Sequence, residues 1–256
     1  MKKKLYLISF LIIFFSIIFL SSKSYRYIGI NFVVKKIEIS NFKKLSEFYQ
    51  RHLNYKKLVK KITIDSKNKK EEIIDISKWV YENIRKPSST DVIIDNHPWT
   101  IVERKMGASD QFSDILSVLL VYNNNDSFFI MSKNRRIFHP VTFFKYNNDW
   151  SIIDPFYGVY FTNNKKEIST LQEIKNNDSN MQHLVFNKIT PKNLGTIFFD
   201  KKFKDIKEVS NYYKDILLIS PDSKSIDNEN IYVRGGRSHI QKPIHRIIFQ
   251  LQRLIK

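Results

Sequence analysis

The sequence predicts an α+β protein. Two observations carry that expectation. Apolar residues recur at a 3.6-residue period through the first half, and short segments rich in β-branched and aromatic residues gather after residue 126, so helices precede an antiparallel sheet. A third observation sets the scale: 256 residues with 42% hydrophobic and 14% aromatic content can build a sizeable core, which excludes wholesale disorder and collagen-like or coiled-coil chains.

The first element is an N-terminal apolar segment. Three lysines (Lys2, Lys3, Lys4) precede an uncharged run from Leu5 to Leu20, followed by Ser21, Ser22 and Lys23. The lysine flank orients the N-terminus to the cytoplasm and the rest outward, so residues 1–22 are expected to be a signal anchor or signal peptide, with the body held at the membrane or secreted. Membrane contact is expected through residues 5–22.

Residues 23–65 are expected to form a helical extension. Within it Asn41 to Ile62 is an amphipathic helix with Phe42, Leu45, Tyr49, Leu53, Leu58, Val59 and Ile62 on one face. A polar break from Asp65 to Asn68 opens residues 66–165, the expected core. A second helix runs from about Lys69 to Arg85, and Pro87 ends it. A third helix starts at Ser109, after Gly107, and carries Ile115, Val118, Leu119 and Tyr122.

Strands follow. Ser127 to Met131 is one; Ile137 to Tyr146 and Trp150 to Asp154 are the arms of a hairpin around Asn147, Asn148 and Asp149. Residues 166–256 are an expected C-terminal extension that ends in a basic amphipathic helix, with Ile244, Ile247, Ile248, Leu251, Leu254 and Ile255 in a stripe among Lys242, Arg246, Arg253 and Lys256.

Composition narrows the chemistry. No cysteine is present, which removes disulfides, thiolate metal sites and every cysteine nucleophile. The net charge of +18 is spread over scattered lysines rather than interleaved with aromatics, so no nucleic-acid partner is expected. The six histidines show no metal-ligand spacing with carboxylates, and neither a metal nor a cofactor is expected.

Ser109 follows Gly107, precedes Asp110 and Gln111, and stands at the start of a helix. His139 opens a strand, and Asp154 closes the next. Together with the helix from Asp75 to Arg85, these motifs resemble the transglutaminase-like family of the papain-type fold, over about residues 69–162. The resemblance implies helices packed on an antiparallel sheet, with a nucleophile at position 109, a general base at His139 and an orienting acid at Asp154. Trp99, beside His97 and Pro98, is a cleft or oxyanion candidate on the same grounds. Hairpin pairing supports the geometry independently. If Tyr146 pairs with Asp149, Asp154 faces Val141, and His139 lies two positions along the same face, within diagonal reach. A shift of one residue would separate them.

The family's cysteine position holds serine. A helix N-terminus stabilises a thiolate but leaves a hydroxyl far from ionisation, so Ser109 would need full general-base help. Ser109 also suits a helix cap, and Asp154 before Pro155 suits a turn. The expectation is therefore a catalytically degenerate domain binding peptide or glycan at the cell envelope, with a link to surface polysaccharide suggested by resemblance alone. The competing expectation is a Ser-His-Asp hydrolase or acyl transferase on the same scaffold.

Overall fold

The structure is a computed structural model. It describes residues 2–31, 33–95, 97–131, 139–186, 188–218, 244, 247 and 248. The chain is a mixture of helices and antiparallel sheet, an α+β arrangement.

Helix α1 spans Lys2–Ser21 and runs straight into a hairpin of β1 (Lys23–Ile30) and β2 (Val33–Ser40). Among the described residues no helix is long and apolar enough to cross a membrane, so the membrane segment expected at 1–22 is not found. The lysines occupy the first turn and leave residues 5–20 as the uncharged run. At 1.5 Å per residue that run reaches only about 24 Å, against about 30 Å of hydrocarbon. The extension expected at 23–65 is helical only from Asn41; before it β1 and β2 pair with each other along their full length instead.

Helix α2 (Asn41–Ile62) starts where Ser40 caps the Lys43 N–H, and buries Tyr55 and Val59. Helix α3 (Lys69–Asn83) is capped by Asn68, places Glu71 and Glu72 in its first turn, and buries Ile73, Ile76, Ser77 and Val80. Two short elements follow: β3 (Ile94–Asp95), which pairs with β1, and α4 (Pro98–Arg104). Helix α5 (Ser109–Tyr122) is the central helix, buried almost throughout from Gln111 onward.

The main sheet has five antiparallel strands in the order β4 (Ser127–Met131), β5 (Pro140–Tyr146), β6 (Asp149–Asp154), β7 (Val159–Thr162) and β8 (Asn180–His183). The β5–β6 turn uses Asn147 and Asn148, both at positive φ, the turn that matches strand twist. It sets Tyr146 opposite Asp149 and Thr142 opposite Ile153. Residues 137 and 138 of the expected strand lie outside the described residues.

Helix α5 packs on β4 and β5. Two reciprocal hydrogen bonds fix the contact: Ser113 Oγ donates to the Pro140 carbonyl (3.2 Å), and Thr142 Oγ1 donates to the Ser113 carbonyl (3.3 Å). Beyond the sheet come α6 (Leu171–Asn176), α7 (Leu194–Ile197) and α8 (Ile206–Leu218). Their Leu171, Ile174, Leu194, Ile197, Val209, Tyr213, Ile216 and Leu217 join the same buried cluster as Phe112, Leu116, Phe143 and Ile152. The core therefore continues past residue 165. Of the expected basic C-terminal helix only Ile244, Ile247 and Ile248 are described, helical and exposed; the rest lies outside the described residues.

Candidate functional site

The site is built where β5 and β6 end. The hairpin register places His139 and Asp154 on one face, and their side chains meet with His139 Nε2 2.7 Å from Asp154 Oδ2. Both are buried, His139 to 4% and Asp154 to 1% exposure. A carboxylate so deep needs donors, and it has four. Oδ2 accepts from His139 and from the Tyr213 hydroxyl (2.6 Å), while Oδ1 accepts the Phe156 and Tyr157 N–H groups (3.0 Å each). The two backbone donors come from the turn that Pro155 starts, so Asp154 works at once as turn former and as partner of His139.

The electrostatics follow. Burial pushes the Asp154 carboxyl up, but the adjacent His139, the Tyr213 hydroxyl and the Tyr157 N–H outweigh it and hold the group below its ordinary value. Burial and the same carboxylate push the Tyr213 phenol well above its ordinary value. Aromatic rings close over His139: Tyr157 stacks at 4.8 Å with 19° between planes, and Phe156 and Tyr212 lie at 6.2 and 6.1 Å. Tyr157 is itself anchored, its hydroxyl donating to Asp200 Oδ1 at 2.6 Å.

Ser109 is the first residue of α5, and the cap is Ala108. The capping role that suits serine is thus taken up differently: Gln111 Oε1 reaches back to accept the Ala108 N–H at 3.2 Å. Ser109 is partly buried, and its hydroxyl makes no hydrogen bond among the described residues. It stands one turn before Ser113, the residue bonded to the carbonyl next to His139. The structure brings His139 and Asp154 into contact and places Ser109 near the same end of β5 without a bond to either.

Trp99 is engaged elsewhere. Its Nε1 donates to Glu103 Oε1 at 2.9 Å, and its ring packs edge-on against Tyr55 of α2 at 4.9 Å. An oxyanion role would need that N–H free, so the indole serves here as packing. Among the described residues no group of three acidic or histidine side chains is placed to hold a metal.

Several residues of the site carried no signal in the sequence. Tyr213 lies 59 positions from Asp154 and reaches it only because α8 packs into the core. His183, at the end of β8, accepts the Val185 and Phe186 N–H groups on Nδ1 (3.0 and 3.1 Å), and burial lowers its pKa to about 4. Arg85 and Lys86 run beside Lys105 to Gly107 through a parallel bridge, which brings Lys86 alongside the turn that leads to Ser109.

No protein-family model and no curated protein matches the chain. Among solved structures it is similar to a "putative cysteine protease" from Cytophaga hutchinsonii, at 16% identity and a TM-score of 0.34, over 40% of this chain. The match spans 37% of that protein's length.

Proposed function

We propose that this chain carries a transglutaminase-like, papain-type core whose cysteine chemistry is gone, and that its remaining cleft binds a peptide or glycan outside the cytoplasm, at the cell envelope. The observation that carries the reading is the contrast between the two halves of the site. His139 and Asp154 form a buried pair held by four donors on the carboxylate, whereas position 109 offers a hydroxyl with no hydrogen bond among the described residues, in a chain without cysteine. Such a pair persists for structural reasons of its own, because removing either member would strand buried polar groups. The envelope placement is supported by the lysine-flanked apolar segment, whose Phe10, Ile13, Phe14, Ile17 and Phe19 are exposed on α1.

One observation favours the second reading, a Ser-His-Asp hydrolase or acyl transferase. With Nε2 committed to Asp154, His139 Nδ1 has no hydrogen bond among the described residues and is the nitrogen a nucleophile would use.

A serine-directed fluorophosphonate separates the two. The expected result is no labelling of the wild type, Ser109→Ala or His139→Ala proteins. Labelling of the wild type that disappears in both variants would overturn the degenerate reading and establish Ser109 as a nucleophile.

A further inference from the structure

Lys86 lies beside the rings that cover His139, without a direct ion pair. Its ammonium is surrounded by rings: Nζ is 4.3 Å from the Phe199 centroid, 4.8 Å from Phe156, 5.6 Å from Tyr81 and 5.9 Å from Tyr157. Rings attract the cation but accept no strong hydrogen bond, and among the described residues Lys86 Nζ makes neither a hydrogen bond nor an ion pair. The carboxylates in its neighbourhood are engaged. Asp154 is saturated by four donors, and Asp200 takes the Tyr157 hydroxyl. Burial accordingly lowers the Lys86 pKa, with Asp154 and Asp200 pulling the other way from a distance. A half-buried ammonium with unused N–H donors and no carboxylate in direct contact is a site for an anion supplied from outside.

The surroundings restrict the anion. One cation matches one carboxylate; a phosphate dianion would call for a second. Phe199, 54% exposed, carries the ammonium over its ring at 4.3 Å and adds exposed apolar surface there, of the kind a sugar ring packs on. We infer that Lys86, with Phe199 beside it, is the carboxylate-binding subsite of the cleft, and that the ligand it takes is an acidic sugar. This inference rests on the reading of the cleft as a binding site.

The test is titration of the full-length protein with oligogalacturonate, with its methyl ester and with poly-glutamate at fixed ionic strength. Oligogalacturonate is expected to bind, and the uncharged ester to bind at least about tenfold more weakly. Lys86→Gln should lose at least about tenfold, Lys86→Arg should retain binding and so report an intact fold, and Lys56→Gln/Lys57→Gln on the exposed face of α2 should stay within about twofold. Phe199→Ala should also weaken binding. Equal losses in Lys86→Gln and the α2 variant would mark general charge attraction and overturn the inference, as would binding of poly-glutamate alone or of neither polyanion. Loss in Phe199→Ala with full binding in Lys86→Gln would remove Lys86 while keeping the cleft reading. Identical binding by the wild type and every variant would remove both.

Discussion

Tyr212 and Tyr213 are neighbours on α8, and changing either to Phe deletes the same atom, yet the structure assigns the two deletions opposite consequences. The Tyr213 hydroxyl donates to Asp154 Oδ2 at 2.6 Å, and its ring is fully buried, edge-on to Phe161 at 5.4 Å. Phenylalanine fills the same space, so packing is conserved and the change isolates one hydrogen bond to a buried carboxylate. Such bonds contribute about 1.5–3 kcal/mol. The Tyr212 hydroxyl is buried without a hydrogen-bond partner among the described residues. Deleting an unsatisfied group costs nothing or stabilises, so Tyr212→Phe should stay within about 0.5 kcal/mol of wild type or exceed it. In thermal unfolding followed by circular dichroism, Tyr213→Phe should lower Tm by about 3–12 °C, at about 2–4 °C per kcal/mol for a chain of this size. Urea unfolding at pH 7 should rank the variants in the same order. Equal effects of the two substitutions, or a larger cost at Tyr212, would refute the four-donor account of Asp154.

The remaining predictions concern the same neighbourhood. His183 titrates near 4 when folded against 6.5 when unfolded, so the unfolded chain binds the extra proton between those values. Stability should therefore fall as pH drops from about 6.5 to about 4, by on the order of 3 kcal/mol, and His183→Asn, whose amide oxygen can accept the same two N–H groups, should flatten that window in urea titrations. Asp154 acts lower. Its folded value is depressed, so its contribution is complete above the ordinary carboxylate value of 3.8 and is lost as pH falls through the folded value; Asp154→Asn should remove that acid limb. Gly158 sits at φ 72°, and a Cβ there would come within 2.9 Å of the Tyr81 ring and 3.0 Å of His183 Nε2. Gly158→Ala should cost about 2–4 kcal/mol in urea unfolding, from left-handed strain together with the clash.

What the sequence made legible was local. Asn41–Ile62 is a helix as its apolar period predicts, although of the face expected inward Phe42, Leu45, Tyr49 and Leu53 are exposed while Val59 is buried with Tyr55; the β5–β6 register follows from two asparagines that tolerate positive φ together with strands whose inward faces are fixed by the core. That register alone brought His139 toward Asp154. The three other donors to Asp154 split by range. Those of Phe156 and Tyr157 belong to a turn that Asp-Pro announces, while Tyr213 depends on how α8 docks, which no local pattern records. Ser109 opens α5 as expected but leaves the cap to Ala108, because Gln111 supplies the reciprocal bond from within the helix. The β1–β2 hairpin leaves no pattern in the sequence because its strands lack a buried face: nearly all of β2 is exposed, so no alternation answers to a core. The Trp99 N–H is held by Glu103, one helical turn away, a local contact that the analogy behind its oxyanion role does not contain.

The paired hydrogen bonds between Ser113 and β5 bear on reversibility. Because the first turns of α5 and the start of β5 are stitched through the Pro140 carbonyl and the Thr142 hydroxyl, positions 109 and 139 lie close in sequence to the two sides of one hydrogen-bonded seam. Whatever chemistry position 109 has or lacks is then decided by the atom it presents, since its placement is inherited from the seam. Serine and cysteine differ there by oxygen for sulfur, so Ser109→Cys would exchange a single atom at the end of that seam.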